Sequence, residues 1–137
     1  MTSKAAGPTL IPGLSYSDAR GAIDWLVDVL GLRVSELHED ARGGVAFAQL
    51  AWRGGMVFVS SRSDTAPWNQ VGTASLCLVA EDEAAVEVHY RRALAAGADF
   101  IRPLHASRSP AFPDGVSAFD LRDPGGHLWT ISNYQPR

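Results

Sequence analysis

Apolar residues recur along this chain with two periods, and the two periods alternate. Leu10–Asp18, LIPGLSYSD, is a short apolar stretch ending on an acidic residue, and Ser75–Asp82, SLCLVAED, ends the same way. After Asp18, the residues Ala22, Ile23, Leu26, Val27 and Leu30 form one apolar stripe at helical spacing. After Asp82, Val86, Tyr90, Ala93 and Leu94 form a weaker one. Asp18 and Asp82 are suited to cap these helices, because a carboxylate accepts the orphan amide hydrogens of a first turn. Gly31 and Gly97 are suited to end them, since glycine takes up the left-handed conformation without strain. The two caps stand 64 residues apart, and so do Leu30 and Leu94.

Three strand-like runs follow each predicted helix. The first set is Leu32–Leu37, Val45–Trp52 and Met56–Ser60, with Arg53–Gly55 as a tight turn between the last two. The second set is Asp99–His105, Val116–Arg122 and His127–Tyr134. The chain therefore reads βαβββ and then βαβββ. Matching caps, helix lengths and strand counts point to a duplicated module: module one over about residues 9–62, a linker over 63–72, and module two over about 73–135. The predicted fold class is α+β, a single domain of two tandem βαβββ modules. Each helix covers one face of its sheet, and the other faces form a curved, cup-like mixed sheet around a shared space, the default ligand site.

A length of 137 residues suits one domain whose core needs neither metal nor disulfide for stability. The net charge of −3, with no long run of one sign, argues against a nucleic-acid face. Cys77 is the only cysteine, which excludes an intrachain disulfide and a Cys-rich zinc site. Within the apolar run LCLV it reads as an inert buried thiol. The first residues, MTSKAAGPTL, have no apolar segment of signal-peptide length, and no run approaches the roughly 18 apolar residues of a membrane span. The expectation is a cytoplasmic protein that engages neither nucleic acid nor membrane. His38, His89, His105 and His127 are scattered, with no H-x-H or H-E-x-x-H spacing, and His127 reads as a structural residue after a turn.

Four stretches carry a resemblance: SDARGAIDWLVDVLGL at Ser17–Leu32, LVAEDEAAV at Leu78–Val86, ALAAGA at Ala93–Ala98 and DPGGHLW at Asp123–Trp129. Together with the repeat they resemble the vicinal oxygen chelate superfamily, glyoxalase I, extradiol dioxygenases and bleomycin-resistance proteins among them, from about Leu10 to Tyr134. The resemblance implies that metal-dependent relatives place four ligands, His or Gln, Glu, His and Glu, on the first and last strand of each module. Counting from caps and turns, those places hold Ile11, Val57 or Phe58, Ser75 and Thr130. An alkane or a phenyl ring cannot coordinate, and a neutral hydroxyl offsets little of an ion's dehydration. The expectation is no metal and no cofactor.

Alternation on the last strand puts Thr130 toward the cup, and Trp129 and Ile131 under a helix. Ser15 and Ser75 face inward with uncharged hydroxyls. Gln49 points either into the pocket or to a solvent-exposed edge. Asp120 faces the cup, either to meet a ligand or to pair with Arg102 or Arg122. Trp68 and Phe112, on loops with no evident core to fill, either stack on a flat ligand or pack on their own loops or a subunit contact. The expected ligand-binding set is Ser15, Gln49, Phe58, Trp68, Ser75, Phe112, Asp120 and Thr130, with no residue assigned a catalytic role. The resemblance implies a metal-free binder of a small molecule, an antibiotic or another flat amphipathic compound, acting as a homodimer. The alternative is an enzyme of the superfamily, a lyase, isomerase or dioxygenase, with a displaced metal site or with Asp120, His105 or His38 carrying protons.

Overall fold

Two βαβββ units follow one another, in the order that the periodicities predict. The computed structural model describes residues 7–63, 73–109 and 112–135. In the first unit, β1 (Gly13–Tyr16) leads into α1 (Ala19–Trp25), which continues as a π-helical stretch over Leu26–Leu30. Then come β2 (Arg33–Glu39), β3 (Val45–Trp52) and β4 (Gly55–Ser61). The second unit repeats this with β5 (Ser75–Val79), α2 (Glu83–Ala95), β6 (Asp99–Ser109), β7 (Phe112–Arg122) and β8 (Leu128–Ser132). The strands are hydrogen-bonded as two four-stranded sheets, ordered β1-β4-β3-β2 and β5-β8-β7-β6. In each sheet the first and last strands of the unit pair in parallel and the other pairs are antiparallel.

The helix signals act as the sequence implies. The Asp18 carboxylate accepts from the Gly21 amide at 3.0 Å, and Asp82 accepts from Ala85 at 2.8 Å. Gly31 and Gly97 close the helices at φ 79 and 72, where a Cβ would be strained. Strand alternation then sorts the side chains. Leu14, Tyr16, Ala48, Leu50, Val57 and Val59 of sheet one are buried on the helix side, as are Phe119, Leu121, Trp129 and Ile131 of sheet two. Leu26, Leu30, Val86 and Ala93 from the helices complete one continuous core. Trp129 and Ile131 thus lie under the helix, and Trp52 is half-buried against the same core.

The DPGGHLW stretch is the polar joint between the two units. Asp123 is only 4% exposed, and its carboxylate accepts four hydrogen bonds. Oδ1 takes the amides of Gly125 and His127, each at 2.9 Å. Oδ2 takes the Tyr16 hydroxyl at 2.5 Å and the Trp129 indole N–H at 2.9 Å. Burial, with Asp123 alongside, pushes the Tyr16 phenol above its ordinary pKa, so it stays a donor. His127 is buried beside it, edge-on to the Tyr16 ring at 5.0 Å. Its Nδ1 accepts the Ala74 amide at 2.9 Å, which leaves Nε2 to carry the ring proton, 3.5 Å from the Ser15 carbonyl. Gly125 is required for space: a Cβ there would come within 2.5 Å of the Tyr16 ring.

Replacing Asp123 with Ala strands the Tyr16 and Trp129 donors in the core, so the expected loss of stability is about 3 kcal/mol, read by urea denaturation. Gly125→Ala should also destabilise, by steric conflict with Tyr16, with the carboxylate still present. A loss below about 1 kcal/mol for Asp123→Ala, the size of one ordinary neutral hydrogen bond, would remove the joint from its structural role.

His89 on α2 generates a pH expectation. Its ring stacks obliquely on Trp52 at 5.5 Å, and its buried Nδ1 has no hydrogen-bond partner. Desolvation, and then the neighbouring Arg92 charge, lower its pKa. The folded state therefore resists a proton that the unfolded chain accepts near about pH 6.5. Stability should fall as pH drops below that value, and His89→Phe should flatten the slope measured by thermal melts between pH 7 and 5.

Candidate functional site

The side of each sheet away from the helices carries the side chains that the core does not use. On sheet one, Phe58 pairs with Gly13 and with Gln49, and Ser15 pairs with Ser60, so all of these share the open face. Phe58 holds the place on β4, whereas Val57 is buried under the helix. Ile11 precedes β1, and within the strand Gly13 and Ser15 carry its parity. Phe47, opposite His38 on the same face, meets Phe58 edge-on with centroids 4.8 Å apart. His38 lies 5.9 Å from Phe47 and pairs with Glu36 at 3.3 Å. The Gln49 amide nitrogen donates to Ser35 Oγ at 3.0 Å. The result is an aromatic patch with a polar rim.

Sheet two presents different chemistry. Ser75 pairs with Leu128 and Cys77 with Thr130, and Thr130 lies opposite Asp120. The Thr130 hydroxyl donates to Asp120 Oδ1 at 2.5 Å, while Arg102 approaches the other oxygen at 3.9 Å. Asp120 therefore faces away from the helices and also has the Arg102 partner. Cys77 is exposed, which corrects the buried reading: in LCLV only Leu76 and Leu78 turn toward the helix. Desolvation, with the Asp120 charge second, pushes the Cys77 thiol above its ordinary pKa, and the thiol stays protonated near neutrality.

Six expected residues thus fall into two groups, Ser15, Gln49 and Phe58 on sheet one and Ser75, Asp120 and Thr130 on sheet two. Trp68 and the Phe112 side chain lie outside the described residues. Phe47, Cys77 and Arg102 join these faces although the expected set omits them; Phe47 and Cys77 follow from the same alternation that selects Gln49 and Ser75. His105 is held by its own strand, its Nδ1 2.9 Å from the Pro103 carbonyl. The four superfamily ligand places offer isoleucine, phenylalanine, serine and threonine side chains (Ile11, Phe58, Ser75 and Thr130), and the Thr130 proton is directed at Asp120. Among the described residues no three His, Cys, Asp or Glu side chains are grouped to hold an ion. This donor set does not fit a divalent metal.

A separate cavity of about 410 Å³ opens between the units, under the segment before β1, the β3–β4 turn and β5. None of the six placed residues lines it. Among the described residues no helix is long and apolar enough to cross a membrane.

Cys77 should react slowly with disulfide reagents at pH 7 relative to free cysteine, because its thiolate is disfavoured. Asp120→Asn should speed the reaction by removing the nearby negative charge. An unchanged rate in that variant would detach Cys77 from the Asp120 field.

Comparison with known proteins places these observations. The profile of the Glyoxalase/Bleomycin resistance protein/Dioxygenase superfamily matches residues 10–131. TioX from Micromonospora sp. ML1 is 30% identical, superposes with a TM-score of 0.76, and the match covers 94% of this chain and 100% of TioX. A lactoylglutathione lyase from Agrobacterium tumefaciens shares the fold at 20% identity and a TM-score of 0.67, over 94% of this chain and 95% of that one. UcmS2 does so at 12% identity and 0.65, over 96% and 100%. No curated protein sequence matches. With its paired βαβββ units and a profile match over nearly its whole length, the chain belongs to the glyoxalase/bleomycin resistance protein/dioxygenase superfamily.

Proposed function

We propose that this protein binds a small, flat, amphipathic molecule without a metal, in the manner of the antibiotic-sequestering members of its superfamily. The observation that carries the reading is the substitution of chemistry at the open faces: phenyl and hydroxyl groups stand where a chelating set would be. The Phe47–Phe58 pair offers ring area for stacking, at little entropy cost because each side chain has few rotors. The Thr130–Asp120 pair, with Arg102 beside it, offers directional contacts to an amine, hydroxyl or amide. A homodimer belongs to the same proposal, a second copy covering faces that a single chain leaves open. So does a cytoplasmic setting, which suits an exposed, unpaired thiol at Cys77.

A second reading has one observation in its favour: Asp120 is a largely buried carboxylate on an open face with a hydroxyl partner, a chemistry that suits the proton carrier of an isomerase or lyase.

Calorimetric titration with bleomycin-type glycopeptides and aromatic polyketides is the test. Saturable binding is expected, and Phe58→Ala should weaken it about tenfold, since an aromatic contact of this kind contributes on the order of a kcal/mol. The absence of binding across the panel counts against the proposal. Turnover of a bound compound that Asp120→Asn abolishes would install the enzyme reading in its place.

A further inference from the structure

We propose that the cavity at the seam between the two units is a second binding site, for a carboxylic acid with an apolar ring or alkyl body, whose acid group is read by Arg53. Its lining takes Leu50, Val57, Leu76 and Leu78 from the helix side of the sheets and Met56 and Cys77 from the open faces, while Phe47, Phe58, Asp120 and Thr130 stand outside it. Its volume of about 410 Å³ suits a small organic molecule. Pro12, Leu32, Leu50, Met56, Val57 and Leu76 contribute to an apolar lining, and Leu50 and Val57 are at most 5% exposed. An apolar body that enters takes these apolar walls out of water, which favours binding.

Arg53 supplies the polar end. It lines the cavity and is half-exposed, and its Nη1 donates to the Val79 carbonyl of the other unit at 2.7 Å. Its nearest carboxylate, Glu81, is 3.9 Å away and largely exposed, a loose pair that leaves guanidinium donors free for an incoming acid. The backbone is the independent observation. Arg53 is the one described non-glycine residue with positive φ, at 52, although Gly54 and Gly55 follow directly. A turn that tolerates glycine instead carries arginine in a left-handed conformation, a strain of about 1 kcal/mol that holds the guanidinium at the cavity mouth. Arginine rather than glycine at such a position points to a task for its side chain.

The experiment compares naphthylacetate with the neutral, nearly isosteric naphthylacetamide on the intact protein, following methyl resonances by NMR. Saturable shifts are expected at Leu50, Val57 and Leu76, with the acid about tenfold tighter than the amide, as one charge-assisted contact gives. Arg53→Gly, which relaxes the backbone, should erase that preference while the amide still binds. Arg53→Lys should retain part of it. Equal affinities for acid and amide in the unaltered protein would overturn the role of Arg53. Shifts confined to the surroundings of Phe47 and Phe58, or no saturable shift at millimolar ligand, would overturn the site itself. The outcome is independent of antibiotic binding at the open faces, because the probe methyls line only the seam.

Discussion

A single buried carboxylate holds this molecule to one arrangement. Asp123 comes from the turn that precedes the last strand, yet one of its donors, Tyr16, belongs to the first strand of the other unit. A charge in that location is tolerable only because four donors converge on it. Three devices place these four donors: a tight turn for Gly125 and His127, strand alternation for Trp129, and the opposite unit for Tyr16. His127 adds a second tie, since its ring accepts the Ala74 amide ahead of β5 while its other side rests on Tyr16. Hydrophobic burial alone would let two similar units slide or rotate against each other. A carboxylate whose lone pairs are all used has one low-energy position, and it fixes the edge of β1 against the β7–β8 turn.

With the units fixed, the strands divide labour by parity. Val57, Val59, Trp129 and Ile131 go to the core, and Phe58, Ser60, Thr130 and Ser75 go to the open faces. The two open faces have diverged although the units share one plan. One is aromatic with an exposed Glu36–His38 pair, and the other is built on a hydroxyl–carboxylate contact with a nearby guanidinium. That asymmetry suits a ligand with an apolar body and a polar handle. It is equally a departure from the symmetric, charged set that chelation of an ion would demand.

Much of the fold was legible in the sequence because its signals are local. Asp18, Asp82, Gly31 and Gly97 act through groups within a few residues, so caps, helix ends and the repeat could be read directly. The facing of Thr130 and Asp120 followed from alternation alone. Choosing between Val57 and Phe58 was harder, because the turn at Arg53–Gly55 admits pairing from either glycine, and only the partner register settles it. β6 and β7 extend past their apolar runs since Ala106 and Ser107 pair with Ser117 and Val116 in a polar stretch of ladder. Cys77 departs from its sequence reading because a continuous apolar run looks two-sidedly buried, whereas one face of β5 has no covering layer. The Tyr16–Asp123 bond spans 107 positions, and no spacing rule reaches that far.

The alternation along β4 has an evolutionary corollary. Met56, Phe58 and Ser60 point one way, while Val57 and Val59 point the other into the packed interior. Successive codons therefore answer to different selection pressures. Every second residue of β4 can change the chemistry of the open face while the intervening ones preserve folding, which gives one scaffold room to vary its surface without passing through unfolded intermediates.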